Sequence, residues 1–236
     1  MYNKYAYEKY DANKFSSEIT PFCEDYRVFL SKSKTERLAT RNAVELAIAH
    51  GYKRLDSVAS LKPGDKVYDV NRDKNVVLFV IGTEKITNGI NILGAHIDSP
   101  RIDLKQNPLY ESTSFALLDT HYYGGIKKYQ WVARPLSLIG VIYKKDGSVV
   151  EVNIGDNPND PVFGISDLLI HLSQEQLTKP AAKVIEGENL DVTFGSLALT
   201  EGENKDVKSN VLRILKEKYG VEEDDFVSAE IEVVPQ

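Results

Sequence analysis

A chain of 236 residues with 42% hydrophobic and 27% charged side chains has the composition of a folded protein, with room for one large core or two modest ones. Its net charge of -6, from 29 basic against 35 acidic residues, offers no polycationic face for nucleic acid. The longest apolar runs, residues 76–81 and 138–143, are strand-sized and fall far short of a membrane-crossing helix.

The first five residues, Met1-Tyr2-Asn3-Lys4-Tyr5, are polar and show no secretory signal, and the single Cys23 has no internal disulfide partner. Both features fit a reducing cytoplasm, the expected location. Residues 19–30 place Ile19, Phe22, Cys23, Tyr26, Phe29 and Leu30 at three- and four-residue steps, which predicts an amphipathic helix lying on a core. Ser33-Lys34-Thr35-Glu36 has the form of a capping box, so a second helix is expected from Ser33, with Leu38, Ala39, Ala43, Leu46 and Ala47 buried and Gly51 as its stop.

The period then changes. Residues 66–70 and 76–81 are β-branched and aromatic around a polar turn and read as a hairpin, and residues 90–95 read as a buried central strand. After Pro100 short strands are expected at 129–132, 136–143 and 149–154, with helices at 166–176 and 207–219, the latter ending at Gly220. The tetrapeptide Glu-Gly-Glu-Asn at 186–189 recurs at 201–204 without matching flanks, which marks solvated loops rather than a repeat. Alternation from Ala229 to Val234 predicts one more half-buried strand. The fold class is therefore α/β, with helices and buried strands first and a β-rich region with attached helices after it.

The chemistry-bearing segment is Gly94-Ala95-His96-Ile97-Asp98-Ser99-Pro100. In extended chain His96 and Asp98 share one face, at the end of a strand where open α/β sheets place ligands. An imidazole there can bind a divalent metal while the carboxylate orients it. On the residues alone, a hydrogen-bonded structural pair accounts for the spacing as well as a metal ligand does. His50, beside Gly51, suits the carboxyl end of a helix dipole, and His121 suits a loop packing role or a pocket.

Read along its length, the chain resembles the aminopeptidase family that contains aspartyl aminopeptidase and vacuolar aminopeptidase I. The matching segments, in order, are Thr35-Glu36-Arg37, Gly94-Ala95-His96-Ile97-Asp98-Ser99-Pro100-Arg101, Tyr123-Gly124-Gly125, Trp131, Leu136-Ser137-Leu138-Ile139-Gly140, Ile170-His171-Leu172 and Phe226-Val227-Ser228-Ala229-Glu230. The resemblance implies a metallo-aminopeptidase that removes an amino-terminal residue, an acidic one among the candidates, from peptide substrates with water activated by two divalent ions. Zinc is the implied metal, with manganese and cobalt as alternatives. It implies that His96 is a metal ligand, that Asp98 is the catalytic carboxylate orienting it, and that His171 binds substrate at a neighbouring subunit's site in a homo-oligomer. It further implies that residues 1–100 are the amino-terminal part of a mixed-sheet α/β peptidase domain and residues 101–236 a β-rich inserted assembly domain. No nucleic-acid or membrane partner is expected. After Trp131 the chain lacks the Asp-Arg pair carried by many relatives, which leaves the preferred residue open. The bridging aspartate, the glutamate base and the remaining ligands are expected beyond Gln236, so the chain by itself is expected to be inactive. The other reading is a catalytically inactive assembly or regulatory module of the same family.

Overall fold

The computed structural model describes residues 5, 8, 11–202 and 205–236. Residues 1–4 of the polar amino terminus and Glu203-Asn204 of the second tetrapeptide lie outside the described residues. The chain forms two compact units, residues 1–99 and 100–236.

In the first unit a short α1 (Ala12–Lys14), capped by the Asp11 carboxylate, runs through a π-helical segment (Phe15–Ile19) into α2 (Thr20–Lys32). The amphipathic period is real, but α2 buries none of its residues, which corrects the expectation that it lies on a core. Its apolar stripe instead lines an open cleft of about 600 Å³ with Phe22, Tyr26, Phe29 and, from the next helix, Leu46. That helix, α3 (Glu36–Ala49), starts two residues later than the capping box suggested. Thr35, in extended conformation, is the cap and accepts from the Leu38 amide at 3.3 Å, while Ser33 accepts from the Asn42 side-chain amide at 3.0 Å. Its buried side consists of the small residues Ala39, Thr40 and Ala47, and Gly51 (φ +84°) turns the chain away.

Strands β1 (Lys53–Arg54), β2 (Lys66–Asn71) and β3 (Asn75–Val80) form a mixed sheet in that order, parallel then antiparallel. The β2–β3 turn uses two left-handed residues, Arg72 (φ 53°) and Asp73 (φ 56°), and the Arg37 guanidinium donates to the Arg72 carbonyl at 3.3 Å. The strand expected at 90–95 does not form. Ile90, Ile92 and Leu93 are 62, 78 and 102% exposed. An extended segment becomes a strand only when a neighbour takes its amides and carbonyls, and among the described residues no strand of the three-stranded sheet pairs with it.

The second unit is built on one antiparallel sheet. Strands β4 (Arg101–Ser112) and β5 (Phe115–Tyr123) form a long hairpin, β6 (Leu136–Tyr143) and β7 (Val149–Ile154) a second, and β8 (Val192–Gly195) and β9 (Ala229–Pro235) follow, in the order β7-β6-β9-β4-β5-β8. The segment expected as a strand at 129–132 is a 3-10 turn (Lys128–Gln130) leading to buried Trp131, because Ala133 adopts φ 54° and interrupts any extension. The helix expected at 166–176 breaks into a 3-10 turn (Ile170–Leu172) and the short α4 (Gln174–Thr178). Asp167 accepts from the Leu168 amide and from Gln176 Nε2, both at 2.8 Å, and so competes with helical bonding at its start. Helix α5 (Val207–Tyr219) is capped by Asp206 and stopped by Gly220 (φ 63°), and it lays Val207, Val211 and Leu215 onto the hairpin and β8.

Ile102, Leu118, Leu136, Leu190, Val192 and Val233, each fully buried, centre the core. Strand β9, which lies between β6 and β4, is buried from Ile231 to Val234, on both faces rather than one. Its approach to β6 is close: a β-carbon at Gly140 would overlap the Glu230 carbonyl oxygen and stand 2.7 Å from the Ile231 Cα. Gly140→Ala should therefore destabilise the second unit by about 3 kcal/mol or more, whereas Gly125→Ala, with nothing near its added carbon, should be nearly neutral. Chemical denaturation of the two variants checks this.

Tyr110 of β4 donates to Asp191 Oδ2 at 2.5 Å and ties the hairpin to the residue that precedes β8. Asp191 is pushed above the ordinary carboxylate value, first by burial and then by the nearby Asp119, while the Tyr110 hydroxyl opposes the shift. The native state thus holds the Asp191 proton more firmly than the unfolded chain does. Its contribution is full below the unfolded value of about 3.9 and is lost as pH rises through the native value. The stability of the wild type relative to Asp191→Asn should decline as pH rises above the unfolded carboxylate value of about 3.9, read from denaturation midpoints.

Candidate functional site

His96 and Asp98 do meet, though not by strand alternation. Residues 90–100 are irregular, and a local turn brings His96 Nδ1 to 3.0 Å from the Asp98 carbonyl oxygen and 3.1 Å from its Oδ1. Both partners are acceptors, so Nδ1 is the donor, and in the neutral tautomer Nε2 keeps the lone pair. The imidazole is 84% exposed and the Asp98 carboxylate 38%. A neutral ring, oriented through one nitrogen and presenting the other, is how a metal-ligating histidine is held. The pair therefore fits one position of a zinc site.

A zinc ion needs three or four protein donors. Among the described residues no three His, Cys, Asp or Glu side chains gather to hold one. The residues present fit a single ligand and its orienting carboxylate, and no more.

His171 lies in the second unit, in the 3-10 turn Ile170–Leu172, and is exposed together with Leu168, Leu169, Ile170 and Leu172. His121 is exposed on β5, in register with Asp103 on β4. His50 caps α3 with Nδ1 at 2.8 Å from the Leu46 carbonyl oxygen, a local structural role.

One charged group quoted in the matching segment had no role assigned from the sequence. Arg101, 8% exposed, donates from Nε to Asp103 Oδ1 at 2.8 Å, lies 3.1 Å from Glu232 Oε2, and places its guanidinium 4.4 Å from the centroid of the Tyr123 ring. Pro100 packs against Gly124, where an added β-carbon would meet the proline ring at 3.5 Å. The available signal was Arg-x-Asp in β4 and Glu-x-Glu in β9, charges at alternate positions of strands too apolar to be solvated on that face.

The family model for aminopeptidase I zinc metalloproteases (M18) matches residues 29–236. A probable M18 family aminopeptidase 1 from Clostridium acetobutylicum is 53% identical over 98% of this chain and 51% of its own length. One from Thermotoga maritima is 47% identical over 92% of this chain and 48% of its own length. The crystal structure of an M18 aminopeptidase from Thermotoga maritima superposes with a TM-score of 0.92 at 43% identity, covering all of this chain and 51% of the other. The structure of aminopeptidase I from Clostridium acetobutylicum gives 0.87 at 50% identity, covering all of this chain and 53% of the other. The chain thus spans about half the length of the relatives it matches. A yeast mApe1 dodecamer, 18% identical, shares the fold with a TM-score of 0.63. With the model matching most of the chain and the mixed α/β fold in common, this chain belongs to the M18 family of zinc metallo-aminopeptidases.

Proposed function

We propose that this chain serves a metallo-aminopeptidase reaction, the release of an amino-terminal residue from a peptide, and supplies one part of the site. The observation that carries the reading is the His96–Asp98 pair, a protonated Nδ1 held by Asp98 with Nε2 presented outward, in a chain of this family. Bound zinc would polarise the scissile carbonyl and lower the pKa of water. His96 contributes one ligand nitrogen, and Asp98 fixes the tautomer and orientation of that ring. On this reading the 236-residue chain on its own is inactive, and a second ion, with manganese or cobalt as substitutes for zinc, depends on donors beyond His96 and Asp98. The amino-terminal residue removed is acidic among the candidates.

Residues 1–100 belong to the peptidase part and residues 101–236 to an assembly part. The exposed Leu168-Leu169-Ile170-His171-Leu172 segment suits a protein surface better than water, and His171 contributes to substrate binding at a neighbouring subunit of a homo-oligomer. The dodecameric state of the yeast relative supports such an assembly. A cytoplasmic location fits the single exposed Cys23.

The gene product that carries this chain should hydrolyse aspartyl- or leucyl-anilides when supplied with zinc, manganese or cobalt, and the 236-residue chain should not. His96→Ala should abolish activity and lower bound zinc, and Asp98→Asn should lower activity by about 10–100-fold. Mixing His96→Ala with His171→Ala subunits should restore part of the activity if His171 serves a neighbour. A gene product that binds metal yet turns over none of these substrates would sink the peptidase reading in favour of an inactive assembly module.

A further inference from the structure

The six-stranded sheet has two edges, and they are finished differently. β8 is four residues long, and its pairing with β5 is broken by a register shift at Ala116/Leu117. The Thr193 amide also donates to the Gly164 carbonyl at 2.9 Å, so a bridge covers the outer side of that strand. Short length, irregular register and cover are the devices that keep an edge from pairing with another chain. β7 carries none of them. Residues 149–154, Val-Val-Glu-Val-Asn-Ile, follow β6 through six consecutive register pairs without a bulge or a proline, and among the described residues β7 pairs with β6 alone.

The hairpin decides which backbone groups face outward. The Lys144 amide donates to the Ser148 carbonyl at 2.8 Å, and bonded and non-bonded pairs alternate along an antiparallel ladder. Ile142↔Val150, Gly140↔Val152 and Leu138↔Ile154 are therefore the bonded pairs, and Val149, Glu151 and Asn153 turn their amides and carbonyls away from β6. Past Asn153 the stretch ends, because the Gly155 amide donates to Asp160 Oδ2 at 3.0 Å and its carbonyl accepts from Gln236 Nε2 at 2.6 Å.

Charge is placed so that β7 complements itself when reversed. Lys144 and Lys145 precede the strand, and Asp156 and Asp160 follow it. An antiparallel second β7 sets the basic end of each copy beside the acidic end of the other, whereas a parallel one sets like beside like. With the twofold axis at Val152, Glu151 opposes Asn153 of the second copy and Val150 opposes its Ile154, so the apolar row of the core face continues across the junction. An axis at Glu151 would oppose two carboxylates directly, which is unfavourable.

We infer that β7 is an assembly edge whose occupant is β7 of a second copy of this chain, paired antiparallel about Val152 so that one sheet runs through both copies. The inference rests on the homo-oligomer of the proposed function and deepens it by naming a surface. Such an interface is isologous, the same strand serving both sides, and closes on itself as a dimer. Affinity comes from main-chain hydrogen bonds at Glu151 and Asn153, and the charged ends select the direction of pairing.

The test is made in the gene product that carries this chain, with Asn153→Pro, Asn153→Thr, and Glu151→Cys and Asn153→Cys singly and together. Proline at 153 removes an amide directed away from β6 and leaves the β6–β7 bonds in place, whereas Asn153→Thr keeps that amide. In sedimentation, wild type and Asn153→Thr should show the same assembled mass, and Asn153→Pro should lower it at least about twofold. Under mild oxidation the double cysteine variant should cross-link two copies, because a hydrogen-bonded pair sets its α-carbons about 5.5 Å apart, within disulfide reach. Neither single variant, each of which retains Cys23, should do so. Either an assembled mass that survives Asn153→Pro or a double variant without cross-linked dimer overturns the inference and leaves the homo-oligomer to another surface. Cross-linking by Glu151→Cys alone also overturns it, since the axis would then lie elsewhere. A monomeric wild type removes the homo-oligomer and the inference together. If Asn153→Pro does not fold, the cysteine variants decide.

Discussion

The second unit depends on the seating of one strand. β9 pairs along its whole length with β6 and at two positions with β4, and so joins the β7–β6 hairpin to the β4–β5–β8 half of the sheet on one side, while Phe163 and Gly164 bridge Leu136 of β6 to Thr193 of β8 on the other. Ile231 and Val233 complete the core on one face, and Glu232 and Val234 are buried on the other. Close approach requires Gly140, and the hydrogen bond from the Ser228 hydroxyl to the Tyr143 carbonyl at 2.5 Å sets the register at the strand's start. The Arg101 ion group then forms where β9 meets β4.

The two units differ in how they stabilise themselves. The second encloses a continuous apolar core in which α5 covers one end of the hairpin. The first places small residues of α3 at its buried side and leaves Phe22, Tyr26 and the β3 side chains Val77 to Val80 substantially exposed. Burial at about 25 cal/mol per Å² of apolar surface thus accumulates mostly in the second unit, and the irregular segment that carries His96 begins on the sparser side.

Sequence patterning was legible wherever local chemistry decides the outcome. Asp206 and Gly220 bound α5 at the expected ends, and the polar run between Asn71 and Asn75 marks the β2–β3 turn. The long β4–β5 hairpin was not legible. Its turn uses Thr113 and Ser114 at φ 49° and 63°, without the glycine or asparagine that signals such a turn, and the register shift between Leu104 and Leu109 breaks the alternation. The apolar run 90–95 carried a strong strand signal, yet a strand is a relation between segments, and periodicity says nothing of whether a partner is present. The same reason limits the site. The His96–Asp98 spacing could be read directly, but the clasp on Arg101 joins residues from β4, β5 and β9, and no local pattern brings Glu232 to Arg101.

The place of β9 also governs the order in which the protein can assemble. It is synthesised after every other strand of its sheet, and Ile102 must wait for Val233. Until then the edges of β4 and β6 that β9 covers lack that partner, the condition in which chains pair wrongly with one another. Contacts so distant in sequence slow closure. The second unit should thus fold late and at once, and its yield in a cell should depend more on protection during synthesis than on the stability of the finished sheet.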